Sequence, residues 1–361
     1  MSASVPAAHL NREVFSFENL TRLYRRLEPR TLQDTDRYVI FSDLHLGNGS
    51  RTDDFAENGE MFISVLGQHY YPAGHTLILN GDIEELQRFR LADIRRRWNK
   101  AYTVFESFED AGRFYRIFGN HDFDLTRHKP DDMVLHEGLR FAYGDHDIFV
   151  FHGHQTSKTF VHHNRWVEFA LRYIANPLKI KNYSVAHNST KRFRTERRVY
   201  EFASRRKVMS IIGHTHRPLF ESMSKVDTIK FEIERLCRKY PKAGKNKRER
   251  IESRIDNYKK ELRHIRENDG RYAEVASLYN ANLVVPCMFN SGTVVGKRGM
   301  TCLEIHDGRI SLVHWFDSRR SEKYLKSDTY RAQNLQDTPY FRVVMKEENL
   351  DYIFSRIKLL T

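Results

Sequence analysis

The sequence predicts an α/β protein built in layers, on three observations. From Arg37 onward, strand-like runs alternate with helical ones; the strand-like runs are short and rich in β-branched and aromatic residues; and each ends abruptly in Gly, Asp, Asn or His. Alternation at this spacing describes a sheet with helices on its faces, and in such sheets ligands collect beyond the carboxyl ends of the strands.

Taken in order, residues 1–36 read as an N-terminal helical arm, with an amphipathic helix over Phe17 to Leu27. The main domain spans 37–320. It opens with a strand at Tyr38 to Phe41, a helix near Asp54 to Gly67, a strand at His75 to Asn80, a helix near Leu91 to Phe108 and a strand at Phe114 to Phe118. Further strands fall at Ile148 to Phe151 and Val208 to Ile212, and the basic stretch between them is too long for a plain connection. That stretch, 155–207, reads as a helical cap: Asn164 to Ala175 carries Trp166, Phe169, Ala170 and Tyr173 at helical spacing, and Thr190 to Lys207 is a second helix rich in arginine.

A second insertion, 222–270, steps by threes and fours through Met223, Val226, Ile229 or Lys230, Ile233, Leu236 and Tyr240, then again through Ile251, Ile255, Tyr258, Leu262 and Ile265. Pro241 to Lys247 separates the two runs, so an antiparallel helical hairpin with a coiled-coil seam is expected. Strands at Leu283 to Phe289, Met300 to Ile305 and Ile310 to Phe316 follow, the last two joined across Asp307-Gly308. The C-terminal extension, 321–361, holds a strand-like Phe341 to Met345 and a helix-like Leu350 to Leu360.

A chain of 361 residues, 40% hydrophobic and 30% charged, can bury a full core under a solvated surface. No apolar run approaches a membrane span, and the first 20 residues lack the pattern of a secretory signal. Cys237, Cys287 and Cys302 have no metal-type spacing and fit reduced, buried thiols of a cytoplasmic protein, with peripheral attachment to a membrane left open. The net charge of +13 favours an anionic partner: nucleic acid, an acidic membrane surface or a phosphorylated substrate. Much of it sits on the hairpin, where Arg235 to Arg266 holds 13 Lys and Arg against 4 Asp and Glu. The hairpin is thus a candidate for binding such a partner with the basic cap, or for self-association.

The chemistry is at the strand ends. Tyr38 to Phe41 runs into Ser42-Asp43-Leu44-His45; Thr76 to Leu79 into Asn80-Gly81-Asp82-Ile83-Glu84-Glu85; Phe114 to Phe118 into Gly119-Asn120-His121-Asp122; Ile148 to Phe151 into His152-Gly153-His154; and Val208 to Ile212 into Gly213-His214-Thr215-His216. Gly, Asn and Asp are ordinary turn residues, so any one of these is weak evidence. Five in succession, all offering oxygen or imidazole donors, point to a site for two divalent ions. Such a pair needs a bridging carboxylate, for which Asp82 is the candidate; Asp43, His45 and one of the last two histidines suit one ion, and the Asn120 carbonyl oxygen helps to hold the other. Mixed oxygen and imidazole ligation without thiolate favours manganese, with iron or zinc as alternatives. Two ions of this kind lower the pKa of a bridging water and clamp a phosphate for in-line attack. His121, oriented with Asp122, would protonate the leaving oxygen.

This ordered set of loops resembles the five signatures of the calcineurin-like metallophosphoesterase superfamily over roughly residues 37 to 316. The resemblance implies a four-layer αββα sandwich with a dinuclear site at one edge. Carried over by position, it implies that Asp43, His45, Asp82 and His216 hold one metal and Asp82, Asn120, His152 and His214 the other, with His121 near the scissile phosphate. His154 is the alternative to His152, and His154 and Arg217 are candidates for supporting the ligands or touching substrate. Within the superfamily, the cap before Gly213-His214-Thr215-His216-Arg217-Pro218 and the later Phe289-Asn290-Ser291-Gly292-Thr293 resemble the UDP-2,3-diacylglucosamine pyrophosphatase group. The chain departs from the lipid A enzymes of that group in its His121 and in the insertion at 222–270.

The activity expected is hydrolysis of a phosphodiester or pyrophosphate bond in a nucleotide- or lipid-linked substrate by a metal-bridging hydroxide. A nuclease is the first alternative, on the strength of the charge. A non-catalytic scaffold is the second, weakened because every expected ligand position is filled.

Overall fold

The computed structural model describes residues 7–128, 130, 133–157, 189–222, 229, 233, 236–237, 239–268, 285–326 and 330–361. The expected cap helix at Asn164 to Ala175 and most of the hairpin's first arm lie outside the described residues.

The chain begins with helix α1 (Ala7–Arg26) and short strand β1 (Pro29–Thr31), followed by β2 (Tyr38–Phe41), α2 (Gly59–Val65), β3 (Thr76–Asn80), α3 (Leu91–Arg97), α4 (Asn99–Asp110) and β4 (Phe114–Ile117). Next come β5 (Gly138–Tyr143), β6 (His146–Phe151), α5 (Ser189–Arg206), β7 (Met209–Ile212), α6 (Lys245–Asn268) and β8 (Met288–Asn290). The chain closes with β9 (Met300–His306), β10 (Arg309–Asp317), β11 (Ala332–Asn334), β12 (Tyr340–Asn349) and α7 (Leu350–Leu360). A seven-stranded sheet has the order β11-β12-β10-β9-β2-β3-β4, and a five-stranded sheet the order β1-β5-β6-β7-β8. The two parallel runs, β2-β3-β4 and β6-β7-β8, carry the chemistry at their carboxyl ends.

Strand alternation explains the layers. Val39, Phe41, Leu77 and Leu79 share one face of the larger sheet and pack with Phe62 of α2 and Phe105 of α4. The rings of Phe41 and Phe62 meet edge-on at 5.1 Å. Ile40 and Ile78 point the other way, into a core shared with Ile148 and Val150 of the second sheet. Tyr38 and Phe141 touch across this gap at 5.1 Å. On the far face of the smaller sheet, Phe149 meets Tyr24 of α1 and Phe202 of α5. The result is helices, sheet, sheet, helices. Each fully buried Phe, Leu or Ile contributes about 1.5–3 kcal/mol toward holding them.

Several features differ from the sequence reading: Cys287 and Cys302 are buried as expected, but Cys237 is exposed. Within the described residues the first helix already runs from Ala7 rather than from Phe17. The strand expected from Leu283 is formed only at Met288–Asn290 within the described residues. β5 had no counterpart in the reading; it pairs antiparallel with β6 across Gly144-Asp145, where Gly144 takes a φ of 54°. The strand and helix expected in 321–361 are present. β12 pairs with β10 from Arg309↔Asn349 to Asp317↔Tyr340, and α7 buries Leu350, Ile353, Phe354 and Ile357. On α6, Ile251, Ile255 and Tyr258 form a small cluster with Leu236, Tyr240 and Ala243. No helix among the described residues is long and apolar enough to cross a membrane.

Candidate metal centre

Every loop singled out in the sequence leaves the carboxyl end of a parallel strand, and the two sheets bring those ends to one place. Within the loops the backbone turns sharply. Asp43, His45, Asp82, His214 and His216 have φ between 49° and 65°, so half of the ten non-glycine residues with positive φ among those described belong to this site. A left-handed conformation costs such residues about 1–2 kcal/mol each. Strain of this kind persists where the surroundings over-determine it, characteristically at functional sites. Gly119 is required by close approach, since a Cβ there would sit 2.1 Å from Asp82 Oδ1.

The donors fall into three clusters, one of which, His45 with Glu85 and His121, shares His45 with another. Asp43, His45 and His216 form one, and Asp82, His152 and His214 a second, each with its donor atoms within 4.8 Å of one another. His216 Nε2 lies 3.0 Å from Asp43 Oδ1 and 3.1 Å from His45 Nε2. His152 Nε2 lies 3.1 Å from Asp82 Oδ2, and His45 Nε2 lies 4.0 Å from that same oxygen. Asp82 therefore stands between the clusters. Asn120 is buried in the adjoining loop, its backbone carbonyl accepting from Gln87 Nε2 at 3.0 Å.

The hydrogen bonds fix which ring nitrogens carry protons. His152 Nδ1–H donates to the Asn80 carbonyl at 2.8 Å, and His45 Nδ1–H donates to Glu85 at 2.9 Å. In the neutral rings, both Nε2 atoms present lone pairs to the interior. His152 Nε2 is buried and makes no hydrogen bond, although a carboxylate oxygen is 3.1 Å away. Lone pairs facing carboxylate oxygens at such distances repel unless a cation lies among them, so the donor set fits divalent ions.

The electrostatics show the same demand for positive charge, which a proton on His152 meets where no cation does. Burial alone would raise Asp43 and Asp82, but the neighbouring histidines outweigh it and hold both carboxylates below their ordinary range. Burial opposes the charged form of His152, yet Asp82 and Asp43 carry it up to about 9. His214, by contrast, is pushed down to about 3 by burial and the neighbouring His152.

His121 and Asp122 call for a correction. The expected partner of His121 is Asp122, but the ring donates from Nδ1 to Glu85 at 2.8 Å. Asp122 instead accepts the backbone N–H groups of Ile83, at 2.8 Å, and Gly119, stapling two loops together. Burial, with Asp82 and Glu84 nearby, raises the Asp122 carboxyl to about 6. Glu85 holds the rings of both His45 and His121, and that role was not read from the sequence. The available signal was the pair Glu84-Glu85, one residue beyond Gly81-Asp82, of which Glu84 turns away to Tyr102 and Arg116. Burial would lower His121, but the charges of Glu85 and Asp82 lift it to about 10.

Of the remaining candidates, His154 is buried beside the site, its ring 5.6 Å from that of His152, but it joins none of the clusters among the described residues. Arg217 is tied to Glu196 of α5, its Nε donating to Oε1 at 3.0 Å.

The fold and site together define a mixed α/β protein of two stacked sheets with a buried carboxylate–imidazole centre where its parallel strands end. In sequence, no family model and no curated protein matches the chain. Among solved structures it is similar to YfcE, a phosphoesterase from E. coli, at 11% identity and a TM-score of 0.32, covering 87% of this chain and 99% of that one. It is also similar to a dimetal phosphatase from Danio rerio, at 8% identity and a TM-score of 0.35, covering 78% and 96%. Likeness at this level carries no functional argument, which rests on the side chains of this chain.

Proposed function

We propose that the protein is a metal-dependent phosphoesterase of the calcineurin-like type, hydrolysing a phosphodiester or pyrophosphate bond in a nucleotide- or lipid-linked substrate. The observation that carries this reading is Asp82: one buried carboxylate whose Oδ2 faces both His152 and His45, so that it links its own cluster to that of Asp43, His45 and His216. Asp43, His45, Asp82 and His216 would hold one divalent ion, and Asp82, Asn120, His152 and His214 the other. When bound, such a pair supplies Lewis acidity toward phosphate oxygens and acidifies water. Manganese suits the mixed donor set, with iron and zinc as alternatives.

The chain's own residues do the rest. Glu85 holds the rings of His45 and His121 in place through their Nδ1–H groups, leaving each Nε2 toward the interior. His121, made strongly basic by Glu85 and Asp82, is placed to give its Nε2 proton to the leaving oxygen. Two nearby cations would lower its pKa toward neutrality, which improves it as an acid. The three-residue staple Gly119–Asp122–Ile83 keeps the loop bearing Asn120 and His121 against the loop bearing Asp82.

The test is a substrate panel with manganese: a monoester, a diester, nucleotide-diphospho-sugars including an acylated one, and single- and double-stranded nucleic acid. Metal-dependent turnover of the diester or of a pyrophosphate supports the reading. Cleavage of nucleic acid with a steep loss in salt replaces it by the nuclease alternative, and no turnover with metal bound leaves a scaffold.

A further inference from the structure

The run Phe289-Asn290-Ser291-Gly292-Thr293 and the second cap helix meet beneath the loop of His214 and His216. Thr215, between the two histidines, uses its hydroxyl twice: it donates to Glu196 Oε1 at 2.9 Å and accepts from Asn290 Nδ2 at 2.9 Å. Asn290 ends β8 and also donates to the Gly213 carbonyl at 3.0 Å. Glu196, on α5, takes Arg217 as well, from Nε at 3.0 Å and from Nη2. Glu196, Thr215 and Asn290 each have 0% exposure. A buried carboxylate, hydroxyl and amide so joined have few alternative geometries, because a broken member strands the others without water.

The histidines on either side need such a device. His214 and His216 have φ of 65° and 55°, and the Thr215 N–H turns back to the Gly213 carbonyl at 2.7 Å. Without an anchor, a loop of this shape relaxes to ordinary dihedrals and swings both imidazoles out of register. We infer that Glu196 and Asn290 are positioning residues that act through Thr215 to set His214 and His216 for two metal ions, so that α5 is a working part of the centre. This inference rests on the phosphoesterase reading above and adds to it a chain of residues that touches neither metal nor substrate.

The experiment uses the full chain loaded with manganese, comparing Thr215→Val, Thr215→Ser and Glu196→Gln with wild type. Metal bound per chain is measured across a manganese titration, alongside kcat and KM on a small diester and the thermal midpoint. The expected result is metal affinity weakened about 10–100-fold in Thr215→Val and Glu196→Gln, with kcat falling more than KM changes, and near-complete rescue in Thr215→Ser. The Thr215→Val/Glu196→Gln double variant should be no worse than the poorer single one, because both break the same chain of bonds. Should Glu196→Gln fail to fold, the Thr215→Val and Thr215→Ser pair decides alone. Wild-type metal affinity in Thr215→Val, even with a lowered thermal midpoint, overturns the inference while leaving the phosphoesterase reading intact. A wild-type chain that binds no metal overturns both.

Discussion

A single side chain, Asp82, has the most to lose by substitution. It faces His152, receives the His121 backbone N–H at 2.8 Å, and stands between two donor clusters. Asp82→Asn keeps the shape but replaces one oxygen by an N–H donor aimed at imidazole lone pairs, so metal content should fall below two ions and diester hydrolysis should drop about 100-fold or more. Elemental analysis beside an activity assay checks it; two ions with unchanged activity would remove the bridging role. Glu85 acts at one remove. Glu85→Gln keeps one acceptor oxygen where two imidazole N–H groups now share a carboxylate, so kcat should fall about 10–100-fold while metal binding is largely retained. Asp122→Asn is expected to act differently, lowering stability first, because its carboxylate serves backbone N–H groups rather than the His121 ring.

Among the elements, α7 shows how much of the core comes from the end of the chain. Asn349 caps it by accepting the Tyr352 N–H at 3.2 Å, and its buried face inserts Ile353, Phe354 and Ile357. The Phe354 ring lies flat on His146, with centroids 4.6 Å apart and 5° between planes, and near Tyr143 at 6.0 Å. Phe354→Ala should therefore destabilise by about 3–5 kcal/mol, the usual cost of emptying a buried aromatic position. Chemical denaturation measures it. A loss under about 1 kcal/mol would mean that the helix is dispensable to the core.

For the whole molecule, metal and pH both bear on stability. Ions bound only by the folded chain stabilise it, so manganese at about 100 times its Kd should add about 2.7 kcal/mol, and a chelator should remove it. Calorimetry with and without chelator tests this, and an unchanged midpoint would argue against a folded-state metal site. Away from the centre, burial holds His75 and His314 down to about 4, against an ordinary 6.5. Each therefore stays neutral in the folded chain while the unfolded chain takes up a proton. Stability should fall as pH drops from about 6.5 toward 4 and level off below that range. The decline should be shallower in His75→Phe, which keeps a ring against Tyr70 and loses the proton site. A decline equally steep in that variant would assign it to other groups.

Local order was legible in the chain by itself. Short unbroken apolar runs at Tyr38 to Phe41 and Thr76 to Leu79, each followed by glycine or a charged donor, marked both strands and the loops that bear the centre, because those signals need only neighbouring residues. Partnership needed the fold. Glu85 reaches His121 across 36 positions and Glu196 reaches Thr215 across 19, and nothing in their spacing separates them from Glu84 or Asp122, which face elsewhere. Which carboxylate meets which imidazole depends on how two sheets stack and how five loops turn, three of them through strained residues, and those are settled by burial and steric fit over the whole molecule.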